Sequence, residues 1–335
     1  MLWSIVVVTR TLALAAAACL LSGCLTVADV PKYKSQGVAQ TYPVAVNPSE
    51  STNLFEDKPW IAVDNSASIS TSGNVYVSWT HFIGNSVDMI LFSRSTDHGQ
   101  HWSAPIQISP AAQNGAVQGS QVAVGPNGEV YVAYEVFYVG GNRRHFLAKS
   151  TNGGANFTTP VAITPLFNEL KFNSTYRKNS FPSLAVDPNP SGGAVYVVYA
   201  DQPNKTAGAE VEFIRSTNGG ASFSTPVVIN DKSTGQQFFP ALTVDSSGWL
   251  HASWFDTRNS PTSTAKYDIY ATYSKTGGAS FAPNARVTAT SVNAGTASFI
   301  GDYAGIAAGG NDAHPVWTSG GFNNGRLQTA TIQLP

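Results

Sequence analysis

The ionisable residues of this chain are few, and several of them cluster in short segments beside predicted β-strands. Lysine and arginine number 19 and aspartate and glutamate 20, so only 12% of the 335 residues are charged. The two densest segments are Trp254-Phe255-Asp256-Thr257-Arg258 and Gly301-Asp302-Tyr303. Carboxylates can transfer protons, and guanidinium groups can bind anions through paired hydrogen bonds. A polar site is therefore expected where such segments meet.

A phrase of eight residues, written four times, organises the elements that must position these groups. The copies start 55, 66 and 58 residues apart and are Ser95–Trp102, Ser150–Phe157, Ser216–Phe223 and Ser274–Phe281. Apolar runs with strand character flank the copies, which predicts a hairpin turn in each. Asp or Asn would bond to backbone amides and glycine would supply a positive φ. The terminal aromatic ring would tuck beneath its hairpin.

The segments around each phrase predict four short antiparallel strands per unit, which is a blade of an all-β β-propeller. First strands fall at 60–64, 121–125, 183–187 and 241–245, and second strands at 75–79, 130–134, 195–199 and 250–254. Five blades can be counted. The fifth lacks an outer strand, and residues 42–46 could supply it and close the ring.

The blade geometry predicts that two sets of loops lie at the end away from the phrases, where binding residues concentrate. The charged and polar residues of these loops are His81, Glu135, Asp201, Asp256, Arg258, Asp57, Lys58, Arg177, Lys178, Asp231, Asp302 and Tyr303.

The phrase resembles the Asp-box, or bacterial neuraminidase repeat, of the sialidase superfamily. The first copy matches it, the second and third carry Asn for Asp, and the fourth carries Thr276. The segments 254–258 and 301–303 also resemble segments of bacterial exported proteins with such repeats. That resemblance covers about residues 55–335. It implies a sialidase-like propeller whose phrases are structural turns. That family has six blades, so a sixth blade stays open beside the five counted.

The resemblance also implies a set of site residues. In the family, three arginines bind the sugar carboxylate, a Tyr activated by Glu attacks the anomeric carbon, and an Asp is the acid and base. The matching catalytic candidates are Tyr303, Glu135 and Asp256, with Asp201 as a second choice of acid. The substrate-binding candidates are Arg177, Arg258, Arg326, Asp201 and Asp302.

This chain departs from the family pattern, which keeps a structural alternative open. The family's early Phe/Tyr-Arg-Ile-Pro motif is absent, and the corresponding stretch reads Asp57-Lys58-Pro59-Trp60-Ile61. In the alternative, Asp256 and Arg258 fix one loop and Asp302 caps a turn.

Two functions follow from these observations. The first is a cell-surface sialidase-like propeller, an exo-acting glycoside hydrolase on terminal acidic sugars. The alternative is a non-catalytic propeller that binds a glycan or a protein. The net charge of −1 argues against a nucleic-acid partner. No metal-ligand spacing or nucleotide fingerprint occurs, so we expect no metal and no cofactor. We also expect the protein to be a monomer.

The N-terminal residues predict export and a lipid anchor. An apolar run follows Arg10 and leads to Leu21-Ser22-Gly23-Cys24, which resembles a bacterial lipobox. The expected organisation is a lipoprotein signal peptide over 1–23, a tether over 24–40 and the propeller over 41–335. Cys24 would carry the lipid and hold the protein at the membrane of the cell envelope. An ordinary signal peptide or a single membrane anchor is the alternative.

Overall fold

The computed structural model describes residues 44–47, 54–66, 70–84, 87–138, 140–189, 192–203, 208–309, 312–321 and 325–333. The predicted signal peptide, Cys24 and the tether lie outside these residues. The described part is all-β: it contains 22 strands, one 3-10 turn at Ala111–Gln113 and no α-helix. This part of the chain contains no helix that is long and apolar enough to cross a membrane.

Five antiparallel sheets confirm the predicted propeller of four-stranded blades. The first blade contains β1 Leu54–Val63, β2 Val75–Ile83, β3 Val87–Ser95 and β4 Ile106–Gln107. The second contains β5 Val117–Val124, β6 Val130–Phe137, β7 Asn142–Ser150 and β8 Val161–Ala162, with β9 Phe167–Asn168 also paired to β7. The third contains β10 Ser183–Val186, β11 Val195–Asp201, β12 Glu210–Ser216 and β13 Val227–Val228.

The fourth blade contains β14 Gln237–Val244, β15 Leu250–Asp256, β16 Lys266–Ser274 and β17 Ala285–Arg286, with β18 Val292–Asn293 also paired to β16. The fifth contains β19 Gly305–Gly309, β20 Asp312–Ser319, β21 Arg326–Thr329 and β22 Ile332–Gln333. Both β21 and β22 pair with β20, so the third strand of this blade is interrupted.

The outer strand predicted for the fifth blade over residues 42–46 does not form where the structure describes it. Residues 44–47 are irregular, and residues 42–43 lie outside the described part. Asn47 donates to Glu56 Oε1 at 2.7 Å, which ties this segment to β1 of the first blade. The prediction that it completes the fifth blade was therefore wrong for residues 44–46.

The four phrases fold into one recurring turn, as predicted. The first hydroxyl of each phrase accepts a hydrogen bond from the amide of the fifth residue, at 2.8 Å for Ser95 and Gly99 and 2.9 Å for Ser216 and Gly220. The third side chain accepts one from the amide of the seventh residue, as Asp97 does from His101 at 2.9 Å. The same two bonds recur in the second and fourth copies. Side chains thus satisfy the amides that a tight turn leaves unpaired.

The terminal aromatic rings pack across the blade interface, which corrects the prediction that each ring lies beneath its own hairpin. Phe157 of the second blade meets Phe92 of the first edge-on, with ring centroids 4.8 Å apart. Phe281 of the fourth meets Phe213 of the third at 5.0 Å. Such pairs bury large apolar areas in a favourable geometry. The second and fourth phrases therefore join their blades to the ones before them.

A cation immediately before a phrase reinforces the same interface. The carbonyl oxygen of Gly153 accepts from Arg94 Nη1 at 2.8 Å, and that of Gly277 accepts from Arg215 Nη1 at 2.7 Å. Lys149 donates to the carbonyl oxygen of Gly219 at 3.0 Å. These bonds place Arg94 and Arg215 at the phrase end of the propeller.

Candidate functional site

A pocket of about 350 Å³, the central pocket, lies at the end of the blades away from the phrases. The strand register fixes this direction, because Val130 pairs with Ser150 at the start of a phrase while Glu135 pairs with His145 further along. Of the predicted loop residues, the lining contains Asp57, Lys58, Glu135, Arg177, Lys178 and Asp302. The structure brings these six residues together around one pocket.

Lys58 lies at the centre of this site. The pairing of β1 with β2 shifts between Asp57 and Trp60, and within this bulge Lys58 takes a φ of 57°. Bulges redirect side chains, and a positive φ is costly for a residue with a Cβ. Here the bulge points a lysine inward, with its side chain only 5% exposed. The sequence places Lys58 at this end of the blades, but the bulge that turns its side chain inward has no local sequence signal.

Acidic and aromatic groups surround the Lys58 ammonium. Its Nζ lies 2.9 Å from Asp302 Oδ2 and 3.2 Å from Asp57 Oδ2. It donates to the Tyr303 hydroxyl at 3.5 Å and lies 5.0 Å from the ring centroids of Tyr303 and Phe181. Such pairing offsets the cost of burying a charge.

Asp302 connects Lys58 to Arg177. Arg177 donates from Nε to Asp302 Oδ1 at 2.9 Å, and its Nη2 contacts Oδ2. The guanidinium group lies over the ring of Phe299 at 4.6 Å, and the Arg177 side chain is 61% exposed. Asp302 thus holds Arg177 through a two-point contact while leaving much of the guanidinium group open to solvent or ligand.

Glu135 has a buried carboxylate oxygen that accepts no hydrogen bond. Its carboxylate lies 3.1 Å from Arg143 Nε and 3.5 Å from His145 Nε2, yet Oε2 is buried without a hydrogen-bond partner. The buried Ser180 hydroxyl, which lines the same pocket, also has none. Unsatisfied buried polar atoms are costly and rare. A sugar hydroxyl or a water beside Glu135 Oε2 would satisfy that oxygen.

Tyr303 lies beside Lys58, whereas Glu135 is engaged by Arg143 and His145. Burial raises the pKa of the Tyr303 phenol, and the carboxylates of Asp57 and Asp302 raise it further. The phenol is therefore held neutral, and a nucleophilic role would require a base to remove its proton.

Among the cations that line the pocket, Lys178 has the fewest neighbouring groups that offset its positive charge. Its Nζ donates to Ser174 Oγ at 3.1 Å and lies 4.7 Å from the ring centroid of Phe172. Across the described residues, no carboxylate forms an ion pair with it. Burial lowers the pKa of this ammonium group, and the charge of Glu169 only partly opposes that effect. An incoming anion would stabilise its charge.

The structure does not bring Arg258 and Asp256 into the central pocket. Arg258 lies 2.6 Å from Asp231 Oδ1 and 2.7 Å from Asp256 Oδ2, and stacks on Tyr270 at 4.1 Å. Asp256 is fully buried and also accepts from Trp254 Nε1 at 2.9 Å. Both residues are occupied in fixing one loop of the fourth blade, which matches the structural alternative. Arg177, Arg258 and Arg326 do not assemble as a triad around this pocket.

Arg326 and Asp201 also lie outside the central pocket. Arg326 lines a second cavity, of about 1220 Å³, which it shares with Arg177. Asp201 accepts from the Asn168 amide at 2.8 Å and lies opposite Glu210 on the paired strand. Burial raises the pKa of Asp201. It lines neither cavity.

No arrangement for a metal ion is found in the part of the chain that the structure describes. There, no group of three or more His, Cys, Asp or Glu residues is placed to hold one.

Solved structures of glycan-active propellers resemble this chain. The GH93 α-L-arabinofuranosidase of Fusarium graminearum, in complex with arabinobiose, is 10% identical, with a TM-score of 0.55, over 84% of this chain and 95% of that one. A PL25 ulvan lyase bound to -[GlcA(1-4)Rha3S]- is 11% identical, with a TM-score of 0.50, over 82% and 67%. The Hadza microbial sialidase Hz136 is 14% identical, with a TM-score of 0.49, over 84% and 53%.

The first two of these likenesses show the β-propeller fold. No protein-family model matches the sequence, and no curated protein matches it.

Proposed function

We propose that this protein is a propeller glycoside hydrolase that removes a terminal acidic sugar bound in the central pocket. The observation that carries the proposal is the buried Glu135 carboxylate, whose Oε2 lies 3.5 Å from His145 Nε2 but accepts no hydrogen bond, in a pocket lined by ionisable groups. Propellers that act on glycans share this fold. A fold hosts many functions, so the argument depends on the site.

Glu135 is the proposed general acid and base. Its carboxyl group donates a proton to the glycosidic oxygen as the bond from that oxygen to the anomeric carbon breaks. A water molecule then gives its hydroxyl to the anomeric carbon and returns a proton to Glu135. Arg143 and His145 hold the carboxylate in place. Asp57, which lines the same pocket, is the second carboxylate available to activate the water or the Tyr303 phenol.

Lys178 and Arg177 are the proposed receptors for the acidic group of the sugar. Lys178 has no ion-pair partner among the described residues, and Arg177 keeps an exposed face although Asp302 holds it. A carboxylate between them would gain charge-assisted hydrogen bonds. Tyr303 stays a candidate nucleophile, and Asp302 acts as a positioning residue for Arg177 and Lys58.

A non-catalytic glycan-binding or protein-binding propeller is the second candidate. The observation that favours it is that the pocket's carboxylates already have cationic partners. Lys58 pairs with Asp57 and Asp302, and Arg143 pairs with Glu135. Such a network could serve to position a ligand without reacting with it.

A glycoside panel separates the two candidates. Wild type should hydrolyse at least one fluorogenic glycoside of an acidic sugar, among sialosides, glucuronides and galacturonides. Glu135→Gln should lose that activity. The matched control is Glu129→Gln, at the other end of the same strand hairpin, which should keep it. Binding of the free sugars without turnover by wild type would support the non-catalytic candidate and contradict the hydrolase.

We also propose that the propeller is displayed, as a monomer, at the bacterial cell envelope through a lipid on Cys24. The apolar run and the lipobox-like residues before Cys24 support this proposal. Labelled palmitate should enter wild type and should not enter Cys24→Ser. Equal labelling of the two proteins would contradict the anchor.

A further inference from the structure

We infer that the cavity between the first and fifth blades is a binding groove for the glycan chain that follows the terminal sugar. This inference rests on the proposed function and extends it from a single sugar to an oligosaccharide. The cavity, called the interblade cleft, is lined by β1, the segment 290–299, residues 319–321 and β21. Arg177 and Asp57 line both the cleft and the central pocket, so the two cavities meet at these residues.

The volume of the cleft suits a chain of several sugars. It is about 1220 Å³, against about 350 Å³ for the central pocket. Pockets for ligands of drug size hold roughly 300–1,000 Å³. The pocket therefore fits one sugar unit, whereas the cleft can hold a longer ligand.

The walls of the cleft carry the groups that bind sugars. Asn293, Thr296 and Ser298 are exposed along one wall and offer hydroxyl and amide groups. Phe55 is 55% exposed, and Phe299 lies beneath the Arg177 guanidinium group. The exposed Phe55 ring beside these hydrogen-bonding groups suits a ligand with alternating polar edges and apolar faces.

The charge of the cleft selects anionic chains. Arg177 and Arg326 contribute two guanidinium groups. Asp57 is the carboxylate that lines the cleft, and it already pairs with Lys58 at 3.2 Å. Arg326 is exposed and forms no ion pair with another described residue. The ligand class is therefore an oligosaccharide that carries carboxylate or sulfate groups beyond its terminal unit.

The test measures how affinity depends on chain length. Oligosaccharides of one to six sugars, prepared from polysialic acid and from polygalacturonic acid, form two length series. Each member is titrated calorimetrically into the full-length protein, which carries Glu135→Gln to prevent turnover. The dissociation constant should fall by about tenfold or more between the monosaccharide and the tetrasaccharide of one series.

Arg326→Gln in the same background should remove most of that gain and leave monosaccharide affinity within about twofold. Lys232→Gln, which removes one exposed charge outside the cleft, is the matched control and should behave as the parent protein. Affinity independent of chain length, or an unchanged gain in Arg326→Gln, would overturn the inference. If the monosaccharide binds but affinity does not rise with chain length, the inference about the cleft is wrong and the proposed function of the central pocket is unaffected. If affinity rises with chain length but no monosaccharide binds, the inference about the cleft is supported and the proposed sugar site in the central pocket is contradicted.

Discussion

The ammonium group of Lys58 lies 2.9 Å from Asp302 Oδ2, and this ion pair joins the first blade to the segment that enters the fifth. The two residues are 244 positions apart, and both side chains are about 5% exposed or less. The contact therefore links the first blade to a distant segment and also lies within the central pocket. One ion pair thus contributes both to long-range packing and to the site.

Removing one member of this pair should destabilise the protein strongly. Lys58→Met leaves the buried Asp302 carboxylate with less compensation, and we expect a loss of about 3 kcal/mol in the free energy of unfolding. Urea denaturation measures it. Lys266→Met, an exposed lysine on β16, should change stability by less than about 0.5 kcal/mol. A Lys58→Met variant as stable as wild type would show that the pair does not stabilise the fold.

The turn glycines should differ in their tolerance of alanine according to what lies next to them. Gly278 has a φ of 78°, and an added Cβ would meet Phe213 of the preceding blade at 2.3 Å. Gly99 has a φ of 88° but no atom within 4 Å of an added Cβ. Gly99→Ala should cost about 1 kcal/mol for its backbone conformation alone.

Gly278→Ala should cost about 2 kcal/mol more than Gly99→Ala, because a packed ring must also move. Thermal unfolding of both variants makes the comparison. Equal losses in the two variants would contradict the claim that the phrases pack against the preceding blade.

Arg177 and Arg258 should separate a binding role from a structural one. Arg258→Met removes the partner of buried Asp256 and should lower the melting temperature while leaving ligand affinity nearly unchanged. Arg177→Met should weaken binding of an acidic sugar by about tenfold or more. Thermal unfolding and calorimetric titration of both variants give the two readouts. A binding defect confined to Arg258→Met would reinstate that residue in the site.

Glu212 should make stability depend on pH near neutrality. Burial raises the pKa of Glu212 to about 7, and the carboxylates of Asp201 and Glu210 add to the shift. The unfolded carboxyl group ionises near pH 4.5. Between these values the folded protein keeps a proton that the unfolded chain has lost. The stability from this group is therefore full at low pH and falls as pH rises from about 4.5 through 7.

Glu212→Gln should remove this dependence. The variant should be more stable than wild type at pH 8, by about 1–2 kcal/mol, and close to it at pH 4.5. Denaturant unfolding at the two pH values measures the difference, with Glu129→Gln as a control carboxyl outside this group. An equal offset at both pH values would contradict a raised pKa.

The repeated phrases were enough to predict the blades, because each phrase contains the groups that fix its own turn. Ser95 and Asp97 bond to amides within the same eight residues, so the turn is a local property of the sequence. The strand order also predicted that Glu135 and Asp302 lie at the same end of the blades, and both line the central pocket. Local patterns therefore gave the fold and the direction of the site.

The arrangement within the site could not be predicted in the same way. Lys58 reaches the pocket through a bulge in β1 and meets a carboxylate from the far end of the chain. Arg258 and Asp256 pair with each other and with Asp231, which leaves them unavailable to the pocket. These outcomes depend on how blades close and loops pack, and residue types in a linear order do not specify them.

The most direct test of the central claim is to locate a bound sugar in crystals of Glu135→Gln soaked with an acidic monosaccharide that the wild-type protein binds. The account predicts electron density in the central pocket, with a sugar oxygen in hydrogen-bond reach of the substituted side chain at position 135. It also places the sugar's carboxylate beside Lys178 and Arg177. Density at the phrase end of the propeller, with an empty central pocket, would contradict the account.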